Sequence, residues 1–210
     1  GALTDTSTLA LAMTPVNDPP IATPATASGD EDHDVAVALA GTDADGAVDR
    51  VTVTALPSAA QGVLYLADGT TPVAVDTPIP AADAATLVFR PAPNFHGDVM
   101  IAFTVTDDDG DASAAADAVI IVRDVNDPPI AGNDAASLEA GQTIAINVLA
   151  NDSDADGDRL GVVAAVAQHG SMTIQPDGGL LYTSHPGFDG ADVITYRDRK
   201  STRLNSSHPK

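Results

Sequence analysis

The chain has 210 residues, room for two domains of about 100 residues each. Its formal charge of −21 is almost all aspartate: of 30 acidic residues only Glu31 and Glu139 are glutamate. That balance disfavours nucleic acid and anionic membrane surfaces as partners. The absence of Cys rules out thiolate metal sites, disulfides and Cys nucleophiles. No apolar run approaches the roughly 18 residues a membrane helix needs.

Trp is absent and aromatic residues make up 3% of the chain, so the cores must be built from Val, Ile, Leu and Ala. Asp favours turns, caps and hard-cation sites over helix interiors. The chain opens at Gly1 with no signal-peptide pattern and reads as an internal piece of something longer. Residues 1–16, with the apolar run Leu9–Met13, are expected to be the last strand of a preceding repeat.

The segment Val16-Asn17-Asp18-Pro19-Pro20-Ile21-Ala22 recurs letter for letter at Val125-Asn126-Asp127-Pro128-Pro129-Ile130-Ala131. Such a recurrence marks a repeat array, with the heptapeptide as its joint. Residues 17–125 then form a complete repeat, and 126–197 a second, truncated one. In the first, short Val- and Thr-rich segments are bounded by Gly, Pro and Asp: His33–Ala40, Arg50–Leu56, Val63–Leu66, Thr86–Arg90, Val99–Thr106 and Ala118–Val122. Val51, Val53 and Ala55 alternate with Thr52 and Thr54, the period of a half-buried strand. About seven strands in one repeat suit an immunoglobulin-like sandwich, and residues 81–85 allow one helical turn at most.

The second repeat follows the same plan. Strands are expected at Thr143–Val148 and Gly161–Ala167, a hairpin from Ser171–Gln175 and Leu180–Thr183 across the turn 176–179, and a strand from Val193 to Tyr196. The repeats align at Phe95-His96-Gly97-Asp98-Val99 and Phe188-Asp189-Gly190-Ala191-Asp192-Val193, one Phe and one Gly turn serving each corner. Residues 198–210 resemble the translation of a sequencing-library adapter and are read as a non-native tail. The fold class expected is all-β: tandem Ig-like or cadherin-like Greek-key sandwiches, the second truncated.

In a Greek-key sandwich the loops sort to two poles. The loop after the second strand carries Asp43 and Asp45, and the last turn carries Asp107 and Asp109. Both fall at the pole where Asn17 and Asp18 arrive. Glu31 and Asp32 fall at the opposite pole, with Asp124, Asn126 and Asp127 of the second joint, to which the next repeat adds Asp152, Asp154 and Asp156. Carboxylates gathered in this way repel unless a cation joins them. Ca2+ takes six to eight oxygens from such ligands, whereas Mg2+ prefers fewer protein ligands and rigid octahedral geometry. The prolines stiffen the joint and push the preceding Asp to extended backbone. Residues 152–157 also match the first half of an EF-hand loop, but Val163 stands where its bidentate acid belongs.

Taken together, Asp124-Val-Asn126-Asp127-Pro-Pro129, the run Val148 to Asp158 and the Phe-X-Gly corners resemble the cadherin-like and bacterial Ig-like tandem repeats of very large exported proteins, including VCBS-type and calcium-dependent adhesin arrays. The resemblance covers residues 16–197. It implies interdomain Ca2+ on Asp124, Asn126, Asp127, Glu31, Asp154 and Asp156, an extracellular or cell-surface location and an adhesive role. Partners would be neighbouring repeats and, through other domains, surface or matrix ligands. The Asp-Arg-Glu element of cadherins has no match here.

No catalytic role is expected. His33, His96, His169 and His185 are isolated in sequence, and no Gly-X-Ser-X-Gly elbow occurs. The alternative function is a carbohydrate-binding or accessory module of a secreted polysaccharide-degrading enzyme, which would call for exposed aromatic side chains.

Overall fold

The computed structural model describes residues 8, 12 and 16–200. The strand expected over Leu9–Met13 falls on residues of which only Ala12 is described. The chain divides into two compact units, residues 1–124 and 125–210, so the division falls immediately before the second copy of the heptapeptide.

Among the described residues unit 1 contains ten strands and one helical turn. The strands are β1 (Ile21–Thr23), β2 (Ala25–Asp30), β3 (Val35–Val37), β4 (Ala40–Thr42), β5 (Val48–Ala55), β6 (Gly62–Tyr65), β7 (Pro78–Pro80), β8 (Leu87–Pro91), β9 (Gly97–Asp107) and β10 (Ala116–Arg123). The turn α1 spans Ala81–Ala84. One sheet runs in the order β2-β10-β9-β5-β7 and a second in the order β3-β8-β6, with β1 paired to β4. β2 runs parallel to β10, and β9 lies antiparallel between β10 and β5. The segment expected as one strand over His33–Ala40 is broken into β3 and β4, with β4 pairing instead to β1. The one strand expected between the joint and Asp30 is split into β1 and β2, and β7 was not expected from the sequence.

The core of unit 1 is aliphatic, with Phe89 and Phe103 as its largest fully buried side chains. Alternation places it: along β9, Val99, Ile101, Phe103 and Val105 face inward and are fully buried, while Met100 between them is 59% exposed. This is the period-2 signature of a sheet with one wet face.

Unit 2 contains β11 (Thr143–Ile146), β12 (Leu160–Ala167), β13 (Gly170–Ile174), β14 (Leu180–Ser184) and β15 (Ile194–Lys200). Its sheets are β11-β14-β13 and β12-β15, and the expected hairpin is β13–β14. Pairings equate the units: β11 with β3, β14 with β8, β13 with β6, β12 with β5, β15 with β9. The core is much smaller, centred on Val148, Val162 and Leu180.

The alignment of Val99 with Val193 needs correcting by one residue. Val193 is 65% exposed. Counting from the positive-φ glycines Gly97 and Gly190 sets Val99 against Asp192, Ile101 against Ile194 and Phe103 against Tyr196. Ladder partners agree: Phe103 faces Val53 on β5, and Tyr196 faces Ala165 on β12. The two repeats have the same number of residues from Phe95 and Phe188 into the strand, and the bulge in the β12–β15 pair lies on β12, between Val162 and Ala164. β15 also continues through Asp198, Arg199 and Lys200. Backbone pairing tolerates almost any side chain, but Asp198 then takes the inward position that Val105 holds in unit 1, and its Oδ2 is buried with no hydrogen-bond partner among the described residues.

Candidate metal centre

At one pole of unit 1 three segments meet: residues 17–18, the loop between β4 and β5, and the turn between β9 and β10. Asp43 organises the loop, its Oδ1 accepting the backbone N–H groups of Asp45 and Gly46, both at 3.0 Å. This is the Asx-turn geometry for which short acidic side chains are suited. Asp107 organises the turn. It is fully buried; its Oδ1 accepts the N–H of Gly110 at 2.6 Å and of Asp111 at 2.7 Å, while Gly110, at φ +101°, supplies a backbone conformation that side chains resist.

The lead-in segment is tied to both. The Asn17 amide donates to Asp107 Oδ2 and to Asp111 Oδ2, each at 3.0 Å. Asp18 N–H donates to Asp45 Oδ1 at 3.2 Å. Asp108 Oδ1 accepts from Ala47 N–H at 2.9 Å and so closes the loop against the turn. The Asn17 amide, with the backbone N–H groups adding to it against the cost of desolvation, holds the Asp107 carboxyl below the usual carboxylate range. Asp43 Oδ2 is buried with no hydrogen-bond partner among the described residues. An acceptor-only oxygen in that situation is costly unless a cation or a donor reaches it.

The loop of unit 2 has the same construction. Asp154 Oδ1 accepts the N–H groups of Asp156 (3.1 Å) and Asp158 (3.2 Å), with Gly157 at φ +68° completing the turn. Asp127 N–H donates to Asp156 Oδ2 at 2.8 Å, as Asp18 N–H does to Asp45. Carboxylate oxygens of Asp154, Asp156 and Asp158 lie within 4.8 Å of one another, and Asp127 Oδ2 is a buried oxygen without a hydrogen bond. All these donors are hard oxygens, the set Ca2+ selects. In each repeat the second Asp of the Asp-Ala-Asp loop receives the N–H of the joint's own aspartate.

The opposite pole of unit 1 brings Glu31, buried at 3% exposure, together with His96 and Asp124. His96 Nδ1 lies 3.7 Å from Glu31 Oε2 and 3.9 Å from Asp124 Oδ1, and one ligand atom from each of the three lies within 4.8 Å of the others. Sequence reasoning passed over His96 because 65 residues separate it from Glu31, and only the return of the chain after β8 brings them together.

The other expected ligands are placed differently. Asp32, at φ +58°, uses its Oδ1 to accept Asn94 N–H at 2.9 Å. Asp152 is engaged within unit 2: its Oδ1 accepts Gly132 N–H at 2.7 Å and the Tyr196 hydroxyl at 2.9 Å. Burial, then this carboxylate, raises the Tyr196 pKa well above that of ordinary tyrosine. Asn126 and Asp109 are exposed, and it is Asp108 and Asp111 that take part in the turn's bonding. Position by position the two Asp-Ala-Asp-Gly loops set Asp158 against Ala47, so the repeat itself carried no signal for Asp158.

Among the described residues, no helix is long and apolar enough to cross a membrane. Aromatic side chains are used internally: Phe188 stacks on His169 at 4.2 Å between ring centroids, and Arg90 lies over Tyr65 while pairing with Asp34.

Comparison with solved structures finds matches of low identity. An endo-fucoidan hydrolase of glycoside hydrolase family 107 is 16% identical, with a TM-score of 0.36 over 87% of this chain and 27% of its own. The Bacteroides ovatus mixed-linkage glucan utilization locus protein SGBP-B, solved with a mixed-linkage heptasaccharide, is 17% identical, with a TM-score of 0.29 over 87% of this chain and 44% of its own. Drosophila N-cadherin EC1-4 is 12% identical, with a TM-score of 0.32 over 89% of this chain and 51% of its own. The chain thus spans about half or less of the length of each. No curated protein matches it. The model of the bacterial Ig domain matches residues 17–120 and again 126–203; the chain belongs to the bacterial Ig domain family, as a tandem pair.

Proposed function

We propose that this chain is a structural segment of a large exported bacterial surface or adhesion protein, non-catalytic, with Ca2+ held at its joints. The observation that carries the reading is the bond made twice: Asp18 N–H to Asp45, and Asp127 N–H to Asp156. It ties each Asn-Asp-Pro-Pro joint to an acidic loop whose oxygens suit Ca2+. At the first joint Asp43, Asp45, Asp107 and Asp111, with Asn17 and Asp18, would hold the ion. At the second, unit 1 would offer Glu31 and Asp124, and unit 2 Asp127, Asp154 and Asp156, with Asn126 in reserve.

A bound ion would neutralise carboxylates that otherwise repel and fix the extended joint, so that successive repeats act as a stiff spacer. Neighbouring repeats are then the immediate partners, and any adhesive ligand is met by other domains of the parent protein. The array type proposed is the cadherin-like or VCBS-type one, outside the cell.

Extracellular modules bind Ca2+ at about 10⁻⁴–10⁻³ M. At a hundredfold excess over Kd, one site adds about 2.7 kcal/mol. Scanning calorimetry with millimolar Ca2+ and with chelator tests this: Ca2+ should raise the melting temperature, and Asn126→Ala with Asp127→Ala should reduce the gain. Identical melting and identical small-angle scattering in both buffers would defeat the calcium reading. The accessory-module alternative is tested in parallel by retention on insoluble polysaccharides.

A further inference from the structure

The pole of unit 1 that holds Glu31 sets an imidazole between two carboxylates. Glu31 follows β2, His96 precedes β9 and Asp124 follows β10, so three segments far apart in sequence end at one place. Each segment is tied to another by a hydrogen bond close to the residue that matters. Glu31 N–H donates to the Arg123 carbonyl at 2.9 Å, one residue before Asp124. Asp32 Oδ1 accepts Asn94 N–H at 2.9 Å, two residues before His96. The Glu31 carbonyl oxygen lies 3.0 Å from His33 Nδ1, which closes its own turn. The three side chains therefore project from backbone that is already fixed.

Their ligand atoms face one another. His96 Nδ1 lies 3.7 Å from Glu31 Oε2 and 3.9 Å from Asp124 Oδ1. These separations exceed the roughly 2.7–3.2 Å of an N–H···O hydrogen bond. A tetrahedral Zn2+ with bonds of about 2.0–2.1 Å holds its ligand atoms about 3.3–3.4 Å apart. The nitrogen is thus within about half an ångström of that spacing from either oxygen. His96 and Asp124, 55% and 61% exposed, can close the gap by side-chain rotation, while Glu31, 3% exposed, stays in place.

The imidazole separates this set from the acidic loops. Those loops offer only hard oxygens, which suit Ca2+. A ring nitrogen beside two carboxylates suits Zn2+ and its transition-metal neighbours. Arg123, next to Asp124, directs its guanidinium to Asp30 at 2.9 Å and to Ser28 at 3.5 Å.

We propose that Glu31, His96 and Asp124 form a Zn2+ site in unit 1. His96 Nδ1 and one oxygen from each carboxylate are the protein ligands, and solvent takes the fourth position. The site uses no residue of unit 2 and does not rest on the calcium reading. It bears on that reading, because Glu31 and Asp124 are the carboxylates that unit 1 would lend to Ca2+. Zn2+ and Ca2+ would then compete for them.

The test uses the full 210-residue chain, stripped with chelator and returned to Ca2+-free buffer, with Zn2+ as the probe. Calorimetric titration should show a binding component that His96→Gln and Asp124→Asn each weaken about tenfold or more, as the loss of a ligand requires. Both side chains are exposed, so both variants should melt like the parent in the absence of metal. His185→Gln, at an exposed histidine of unit 2, should leave the component unchanged. Imidazole nitrogen resonances give a second readout: the Nδ1 signal that His96→Gln removes should be the one that shifts on adding Zn2+. The melting shift produced by Ca2+ should persist in His96→Gln, so loss of the zinc component and loss of the calcium effect are separate observations. Zn2+ binding that survives His96→Gln undiminished, or a His96 nitrogen that does not respond to Zn2+, would overturn the proposal.

Discussion

Asp198→Val should stabilise unit 2, and the size of the gain follows from register. Asp198 is eight residues after Gly190, as Val105 is eight after Gly97, and Val105 is fully buried against the core. Asp198 Oδ2 is instead buried without a partner among the described residues. Removing an unpaired buried acceptor is worth about 1–3 kcal/mol, and burying a valine adds about 1.5 kcal/mol when burial is complete. Asp198 is half-buried on a strand with one open edge, so a net gain of about 2 kcal/mol is expected. In a domain of this size each kcal/mol moves the midpoint by about 4–8 °C, giving a rise of about 8–16 °C. Calorimetry of the whole chain should show the unit 2 transition moving up while that of unit 1 stays. Asp198→Asn, which keeps a polar group in the same place, should recover little of the gain. An unmoved transition in the Val variant, or an equal shift in the Asn variant, would refute the register on which the argument rests.

Other outcomes follow from the same geometry. Asp107→Asn keeps most of the turn's shape but removes charge, so the melting shift between Ca2+ and chelator should shrink for unit 1; an undiminished shift would remove Asp107 from the ligand set. Phe103→Ala empties a fully buried position and should cost unit 1 about 3–5 kcal/mol in denaturant unfolding. Asp192 gives an acid-sensitive element in unit 2. Against desolvation, which raises its pKa, the Tyr182 hydroxyl at 2.7 Å and the N–H and ring of His169 hold it down at about 2, below the ordinary aspartate value. With the folded value depressed, its contribution is complete above the unfolded value and is lost as pH falls from about 4 toward 2. Melting of unit 2 across that range should therefore show a loss that Asp192→Asn lacks. Tyr196→Phe leaves Asp152 Oδ1 and the carbonyls of Gly132 and Val148 without their shared donor and should cost about 1–3 kcal/mol.

Much of this molecule was legible because a strand with one wet face writes its period into the sequence. The run Val51–Ala55 and the alternation of Val99 to Val105 predicted β5 and β9 to within a few residues. The heptapeptide, identical at 16–22 and 125–131, marks the chain as a repeat, because an identical joint implies the same job twice. What escaped were elements whose identity depends on a partner rather than on a pattern. β2, Ala-Thr-Ala-Ser-Gly-Asp, has little apolar content, so its bounds follow from the parallel pairing with β10 rather than from a pattern; residues 134–139, its counterpart by offset, form no strand. The same reason hid His96, which meets Glu31 only through the fold, and the division of labour among aspartates. Composition says that the poles are acidic, but not that Asp152 serves Tyr196 or that Asp32 serves the Asn94 turn. Only backbone direction decides which carboxylates turn inward to hold a loop and which keep an oxygen for a cation. The repeat is therefore most informative where its two copies differ. Among the described residues β2 forms beside β10 in unit 1, whereas 134–139 form no strand. Yet both units keep the acidic loop and its bond to the joint, so loop and sheet edge are separable parts.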